Sequence, residues 1–229
     1  MITDALVSQS SEVEKANFYK KVYLHVALAV LAFISVETVL INVVPVEIIS
    51  LMFAQKYTWL LIIGVFWLAS ILANKWSLSQ SRSTQYMGLG FYILLEAVIF
   101  LPLLYIAVGY SGGATVIFQA AMLTIAMFAG LSAVAFMSKK DFSFLRNIIV
   151  IGGFISIGLI VAGAIFGFNL GLWFSVGMVI LASASILYET DKLKNTYTTG
   201  QYVGASLQLF ASIMLLFWYI LRILMSRRS

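Results

Sequence analysis

The chain has 229 residues, of which 62% are hydrophobic and 10% are charged. Soluble domains average about 45–50% apolar and about 25% charged residues, so this composition excludes an ordinary soluble domain and indicates a membrane protein. The lack of cysteine excludes disulfides, zinc sites with cysteine ligands and thiol catalysis, and the net charge of +5 fits contact with anionic lipid better than nucleic-acid binding.

Seven apolar stretches are candidates for membrane helices, because about 20 apolar residues cross a hydrocarbon core about 30 Å thick. In chain order they are residues 22–44, 58–73, 87–107, 115–137, 147–166, 170–187 and 202–224. Their length and uniform apolarity exclude the alternating strands of a barrel. The predicted fold is therefore all-α, a seven-helix membrane domain over residues 22–224, with a polar N-terminal tail (1–21) and a short basic tail (225–229).

The basic residues predict a cytoplasmic N-terminus. In that orientation the inner segments carry ten lysines and arginines, whereas the outer loops carry only Lys56. Arg222, Arg227 and Arg228 would lie outside if the seventh segment crosses fully. A seventh segment that is re-entrant or crosses only halfway is therefore the competing topology.

Small residues predict close helix packing in the fifth and sixth segments. The fifth contains Gly152, Gly153, Gly158 and Gly163, and the sixth ends with four consecutive alanines and serines, at residues 182–185. Such residues let membrane helices approach closely, so we expect both segments to line the bundle interior. Pro102 is expected to kink or break the third segment, because it cannot donate a helical hydrogen bond.

Acidic residues in apolar segments need an explanation, because a charge at the bilayer centre costs about 2.5–3.5 kcal/mol on insertion scales. Glu96 lies mid-segment and is either an ion or proton site or a neutral structural residue. Glu37 is expected near the outer interface, with its side chain reaching water. Glu189 and Asp191 lie where the sixth segment meets the inner loop, and composition alone suggests a solvated helix end.

The inventory of side chains supports no enzyme and no cofactor. His25 is the single histidine, so a His-Glu-x-x-His zinc protease is excluded. The Gly109-Tyr110-Ser111-Gly112 sequence superficially matches a rhomboid protease, yet the predicted topology puts Ser111 outside and His25 inside. We therefore interpret this sequence as a glycine-rich turn, and His25 as a packed or interfacial residue.

Four short patterns spread over the chain suggest a family. They are Lys20-Lys21-Val22-Tyr23, then Met137-Ser138-Lys139-Lys140-Asp141-Phe142-Ser143-Phe144, then Leu187-Tyr188-Glu189-Thr190-Asp191, and finally Leu215-Leu216-Phe217 followed by Leu221-Arg222-Ile223-Leu224. With these patterns the chain resembles the Bax inhibitor-1 (TMBIM-type) family, and its bacterial YccA-like members most of all. The resemblance implies a bacterial inner-membrane protein whose last helix lies near the centre of the bundle.

The resemblance also implies, in some members, a pH-sensitive calcium leak tied to a pair of aspartates. The corresponding positions here are Glu189 and Ser212, so the pair is incomplete. Two close carboxylates share a proton because both cannot ionise cheaply, and a serine removes that effect. The hypothesis is a calcium-leak-type bundle with altered pH sensing, in which Glu189, Asp191, Ser212 and Glu96 form the ion pathway or gate and Glu189 contacts the transported calcium.

Two alternatives stay open. YccA-like members are associated with the membrane protease FtsH, so the chain could be a non-conducting modulator or substrate of FtsH in membrane-protein quality control, with residues 1–16 as the segment that the protease grips. A proton-coupled transporter that uses Glu96 is the third hypothesis.

Overall fold

The computed structural model describes residues 5–54, 56–110 and 113–226. These residues form eight α-helices: α1 (Glu12–Val43), α2 (Val46–Ala54), α3 (Lys56–Ser77), α4 (Arg82–Tyr110), α5 (Ala114–Met137), α6 (Leu145–Phe166), α7 (Gly171–Asn195) and α8 (Tyr202–Ser226). Seven of the eight are long and apolar enough to cross a membrane. The all-α fold with seven spanning helices is confirmed. Ser111, Arg227, Arg228 and residues 1–4 lie outside the described residues.

Helix α1 begins ten residues before the predicted span because a capping box starts it. The Ser11 hydroxyl accepts a hydrogen bond from the Glu14 backbone N–H, and the Glu14 carboxylate accepts one from the Ser11 N–H. The helix stops at Val43 because Pro45 favours an extended conformation at Val44. Part of the predicted polar tail is therefore helical.

Helix α2 is the one helix of the eight that was not predicted from the apolar segments of the sequence. It has nine residues, too few to cross a bilayer, and it packs against α3 and α4. Ile49 is its fully buried residue.

Helix α8 is the central element, as the resemblance implies. It packs against α1, α3, α4, α5 and α7, and its Leu209, Phe210 and Leu216 are completely buried. It continues unbroken from Tyr202 to Ser226, about 37 Å at 1.5 Å per residue, so it is long enough to cross the bilayer fully.

The alternating helix directions give the bundle two distinct ends. The lysine-rich end holds the start of α1 and the α3–α4, α5–α6 and α7–α8 turns, with Lys15, Lys20, Lys21, Lys75, Lys139, Lys140, Lys192 and Lys194. The opposite end holds α2, the α6–α7 turn and the end of α8 with Arg222.

The prediction that the small-residue segments line the bundle interior is correct for α7 and only partly correct for α6, which contributes Ile160, Gly163 and Ala164 to the wall of an internal cavity but otherwise lies at the edge. Helix α7 is the main neighbour of α8, whereas α6 lies at the edge, against α7 and α3. A Cβ added at Gly153 or Gly158 would meet nothing within 4 Å, although one at Gly152 would touch Leu181. Small residues permit close approach without requiring it, so their spacing does not identify an interior helix. Helix α4 runs through Pro102 without a break.

Candidate functional site

A cavity of about 560 Å³ extends from the opposite end to the middle of the bundle. Its walls come from α3, α4, α6, α7 and α8, and are mainly apolar and aromatic. Asn169 and Arg222 lie at its outer part, and Trp59 stacks on Trp218 with ring centroids 6.2 Å apart. The inner part of the cavity has a polar base, formed by Glu96, Ser185, Gln208 and Ser212.

Glu96 is the acidic residue at this base. It is 5% exposed and lies near the midpoint of α4, one turn after Tyr92, which hydrogen-bonds to it. Polar residues facing a cavity at membrane depth mark candidate ion or substrate sites. The structure thus places Glu96 where either of its predicted roles requires it.

Ser212 faces a different partner from the predicted one. Its hydroxyl lies 2.8 Å from that of Ser185 on α7, and it donates to the Gln208 carbonyl at 3.0 Å. Because α7 and α8 are antiparallel, one turn from Ser185 towards the lysine-rich end reaches Glu189, while the same step from Ser212 reaches Gln208. Position 212 therefore pairs with position 185, and Glu189 lies about one turn away, outside the cavity lining.

Gln208 extends the polar base towards α3. Its side-chain N–H donates to the side-chain oxygen of Asn74 at 2.6 Å. This contact and the Ser185–Ser212 contact join α8 to two neighbouring helices through polar side chains. Of these four residues, Gln208 and Asn74 were not candidates from the sequence. Both contacts sit where lipid cannot supply a substitute partner.

Glu189 lies at the lysine-rich end, where it is buried and hydrogen-bonded to neighbouring side chains. Its carboxylate accepts hydrogen bonds from Lys192 at 2.8 Å and from the Tyr197 hydroxyl at 3.4 Å, and the residue is 8% exposed. Burial and the Glu189 carboxylate raise the pKa of Tyr197 well above its usual value, so Tyr197 remains a donor. The solvated helix end suggested by composition is therefore wrong for Glu189.

Asp191 ties α7 to the α5–α6 region. Its carboxylate pairs with Lys194 at 2.6 Å and accepts from the Phe142 N–H at 3.2 Å. Lys194 in turn donates to the Ala135 carbonyl at 2.9 Å. Asp191 is buried in these contacts and does not line the cavity, so its geometry is that of a structural anchor beside the predicted gate.

Glu37 differs most from its predicted setting. It is 3% exposed, and both carboxyl oxygens lack a hydrogen-bond partner among the described residues. The prediction that it reaches water is wrong. The burial of Glu37 could have been predicted from helical periodicity. Val26, Ala29 and Phe33 precede Glu37 at intervals of three or four residues, so all four lie on the buried face of α1.

His25 is a packed residue, and its two ring nitrogens lie 2.7 Å from the Lys21 carbonyl and 2.8 Å from the Tyr86 hydroxyl. Within the described residues, no group of three or more histidine, aspartate and glutamate side chains could hold a metal ion.

The N-terminal segment is docked at the lysine-rich end. In residues 5–7, here called the N-terminal clasp, the Val7 N–H donates to the Tyr197 carbonyl at 3.0 Å, and the Ala5 carbonyl accepts from the Thr199 N–H at 3.1 Å. Val7 is completely buried with Phe18 and other apolar residues. The proposed protease-gripped segment, residues 1–16, is therefore folded from Ala5 onwards.

Comparisons with known proteins give consistent matches. The family described as "Inhibitor of apoptosis-promoting Bax1" matches residues 15–229. An uncharacterized protein of Pseudomonas aeruginosa is 34% identical over 163 residues, covering 70% of this chain and 69% of that protein. An uncharacterized membrane protein of Vibrio cholerae is 34% identical over 124 residues, 54% of this chain and 55% of the relative. Protein LIFEGUARD 3 of Arabidopsis thaliana is 27% identical over 223 residues, covering 91% and 84%.

Proposed function

The chain belongs to the Bax inhibitor-1 family, and we propose that it is a cation-permeable membrane protein of the calcium-leak type, closed in this conformation near Glu189. The observation that carries the proposal is the cavity that leads from the opposite end to Glu96 and the Ser185–Ser212 contact. In a bilayer, polar groups at the base of such a cavity are typical of an ion pathway. In the proposed orientation, the lysine-rich end faces the cytoplasm of a bacterium and the cavity faces outward.

The proposed pathway is interrupted between the cavity and the lysine-rich end. Ile186 on α7 and Leu209 on α8 lie on the turns between the serine contact and the Glu189 cluster, and both are completely buried. Ile186 and Leu209 belong to two different buried apolar clusters. An ion cannot pass through closely packed apolar side chains without losing its hydration, so conduction in this proposal requires α7 and α8 to separate here.

Glu189 supports the closed arrangement through its contacts. It holds Lys192 and the Tyr197 hydroxyl, and the Tyr197 carbonyl in turn receives the clasp. The carboxylate thereby links the end of α7 to the α7–α8 turn, and Tyr197 links that turn to the N-terminal clasp through its backbone carbonyl. Neutralising that carboxylate weakens the joint without removing an apolar contact.

We expect Glu189→Gln to raise calcium flux into liposomes about 2- to 5-fold at pH 7, because losing a partly exposed ion pair costs the closed state about 0.5–1 kcal/mol. The measurement compares purified native protein, Glu189→Gln and the control Glu47→Gln, whose acid is exposed on α2. Equal changes in both variants contradict a gate at Glu189. No flux above that of empty liposomes in any variant overturns the leak and leaves the non-conducting FtsH substrate or modulator as the working proposal.

The position of Ser185 gives a second prediction, about pH. Because the Ser185 and Ser212 hydroxyls are 2.8 Å apart, the double variant Ser185→Asp, Ser212→Asp should create a carboxyl pair that shares one proton. Raising the pH removes that proton, the two charges repel, and α7 separates from α8. We expect flux that rises between pH 6 and 8 in the double variant but not in the native protein. The same rise in Ser212→Asp alone would show that Glu189, and not position 185, is the functional partner.

A further inference from the structure

A second, smaller pocket lies at the lysine-rich end and is separate from the cavity. Its volume is about 260 Å³, and it lies between the start of α1, the start of α4 and the α7–α8 turn. The residues used below are Glu14, Lys21, Arg82, Gly200 and Tyr202, all of which line it. Nothing in the proposed ion pathway uses this pocket.

Two cations converge on one aromatic ring in this pocket. Lys21 Nζ lies 5.1 Å and Arg82 Cζ lies 4.4 Å from the centroid of the Tyr202 ring. In the described part of the chain, neither cation forms an ion pair with a carboxylate. The ring stabilises each cation by about 0.5–1 kcal/mol at an exposed site, but it cannot neutralise either of them.

The arginine is held in place with donors to spare. Its Nη1 donates to the Gly200 carbonyl at 2.7 Å and to the Gln85 side-chain oxygen at 2.8 Å. These two acceptors fix the guanidinium, while Nε and Nη2 have no acceptor among the described residues. A fixed guanidinium with free donors is the arrangement that favours two-pronged binding of a phosphate or carboxylate.

The acidic residue of the pocket wall, Glu14, forms its hydrogen bonds with Ser11 and not with the two cations. The Glu14 carboxylate accepts hydrogen bonds from the backbone N–H of Ser11 at 2.9 Å and from its hydroxyl at 2.8 Å, where it caps α1. These bonds to Ser11 hold the pKa of Glu14 below its usual value, so Glu14 stays ionised. One carboxylate against Lys21 and Arg82 leaves the pocket with a net positive charge.

We propose that this pocket binds a phosphate group, supplied by the headgroup of an anionic phospholipid or by a small soluble phosphate. Lys21 directly precedes Val22, the first residue of the predicted apolar span, so the pocket lies at the depth of the headgroups. A bound phosphate would meet cations from α1 and α4 beside the first residue of α8. It would therefore hold three helices of the bundle together at this end.

The test is native mass spectrometry of the purified full chain in detergent. The probes are phosphatidylglycerol, phosphatidylcholine with the same acyl chains, and inorganic phosphate. The test variant is Lys21→Ala, Arg82→Ala, and the matched control is Lys20→Ala, Lys75→Ala, which removes the same charge from two exposed lysines of the same end.

We expect one phosphatidylglycerol per chain to bind at least about tenfold more weakly in the test variant, while the control stays near the native affinity. Binding of phosphatidylglycerol alone identifies the lipid as the source, and binding of inorganic phosphate identifies a soluble ligand. Equal weakening in both variants overturns the site in favour of diffuse charge attraction, as does unchanged binding in the test variant. If the double variant does not fold, Lys21→Ala alone decides the question, because this side chain is exposed.

Discussion

Replacing Val7 with aspartate is expected to release the N-terminal clasp and to lower the free energy of unfolding by about 2–4 kcal/mol. Val7 is completely buried, and a carboxylate there has no ionic partner in the apolar cluster that contains Phe18 and Leu193. The chain can avoid burying this charge only by undocking, which sacrifices the apolar contact and the hydrogen bonds to Tyr197 and Thr199. Denaturant unfolding in detergent micelles measures the loss.

Val13→Asp is the matched control, because Val13 is 71% exposed in the first turn of α1 and the same substitution there should change stability little. Hydrogen exchange supplies a second readout. The amides of Val7 and Thr199 should exchange faster in Val7→Asp, whereas the helix core should not. Equal losses in the two variants would show that added negative charge, and not undocking, is responsible.

Replacing Gly88 with alanine is expected to destabilise the protein by about 1–3 kcal/mol, because α3 and α4 are in backbone contact at this point. A Cβ at residue 88 would lie 2.6 Å from the Ala73 carbonyl oxygen and 2.6 Å from the Ser77 backbone nitrogen. Both atoms belong to the α3 backbone, so no side-chain rotation can relieve the overlap. The two helices must separate, with loss of packing along their shared face.

Gly90→Ala tests the explanation on the same helix, since a Cβ there meets nothing within 4 Å. Alanine has a higher helix propensity than glycine, so Gly90→Ala should be neutral or slightly stabilising. Thermal unfolding of both variants in the same detergent gives the comparison. Similar midpoints would mean that the helix pair accommodates the methyl group, and would remove the close contact as a stabilising feature.

The sequence predicted the spanning helices because apolar length is a direct requirement of the bilayer. It did not predict α2, since a mainly apolar segment of nine residues after Pro45 is too short to satisfy the spanning rule. The early start of α1 could have been found, because Ser11 and Glu14 have the spacing of a capping box. The central position of α8 came from the family resemblance, as its composition does not differ enough from that of the other spans.

The candidate site was predicted less well, because helix register decides it. The resemblance aligned Ser212 with the second aspartate of the pair. In the structure Ser212 is buried and its hydroxyl contacts Ser185, whereas Glu189 lies one turn away along α7. A shift of one helical turn along α7 relative to α8 changes which side chains are in contact. A single sequence does not determine the register of two antiparallel helices. Glu37 was misplaced for a related reason, since depth was judged along α1 without considering which face is buried.

The central helix α8 is synthesised after the five helices that it contacts, α1, α3, α4, α5 and α7. At about 5–20 residues per second, a ribosome needs roughly 10–40 s to progress from the start of α1 to the start of α8. During that interval Asn74 and Ser185 lack Gln208 and Ser212, the partners that α8 brings. The polar partners of these two side chains therefore come from a helix made later, and the contacts that join α3 and α7 to the centre of the bundle form only when α8 takes its place between helices that precede it in the chain.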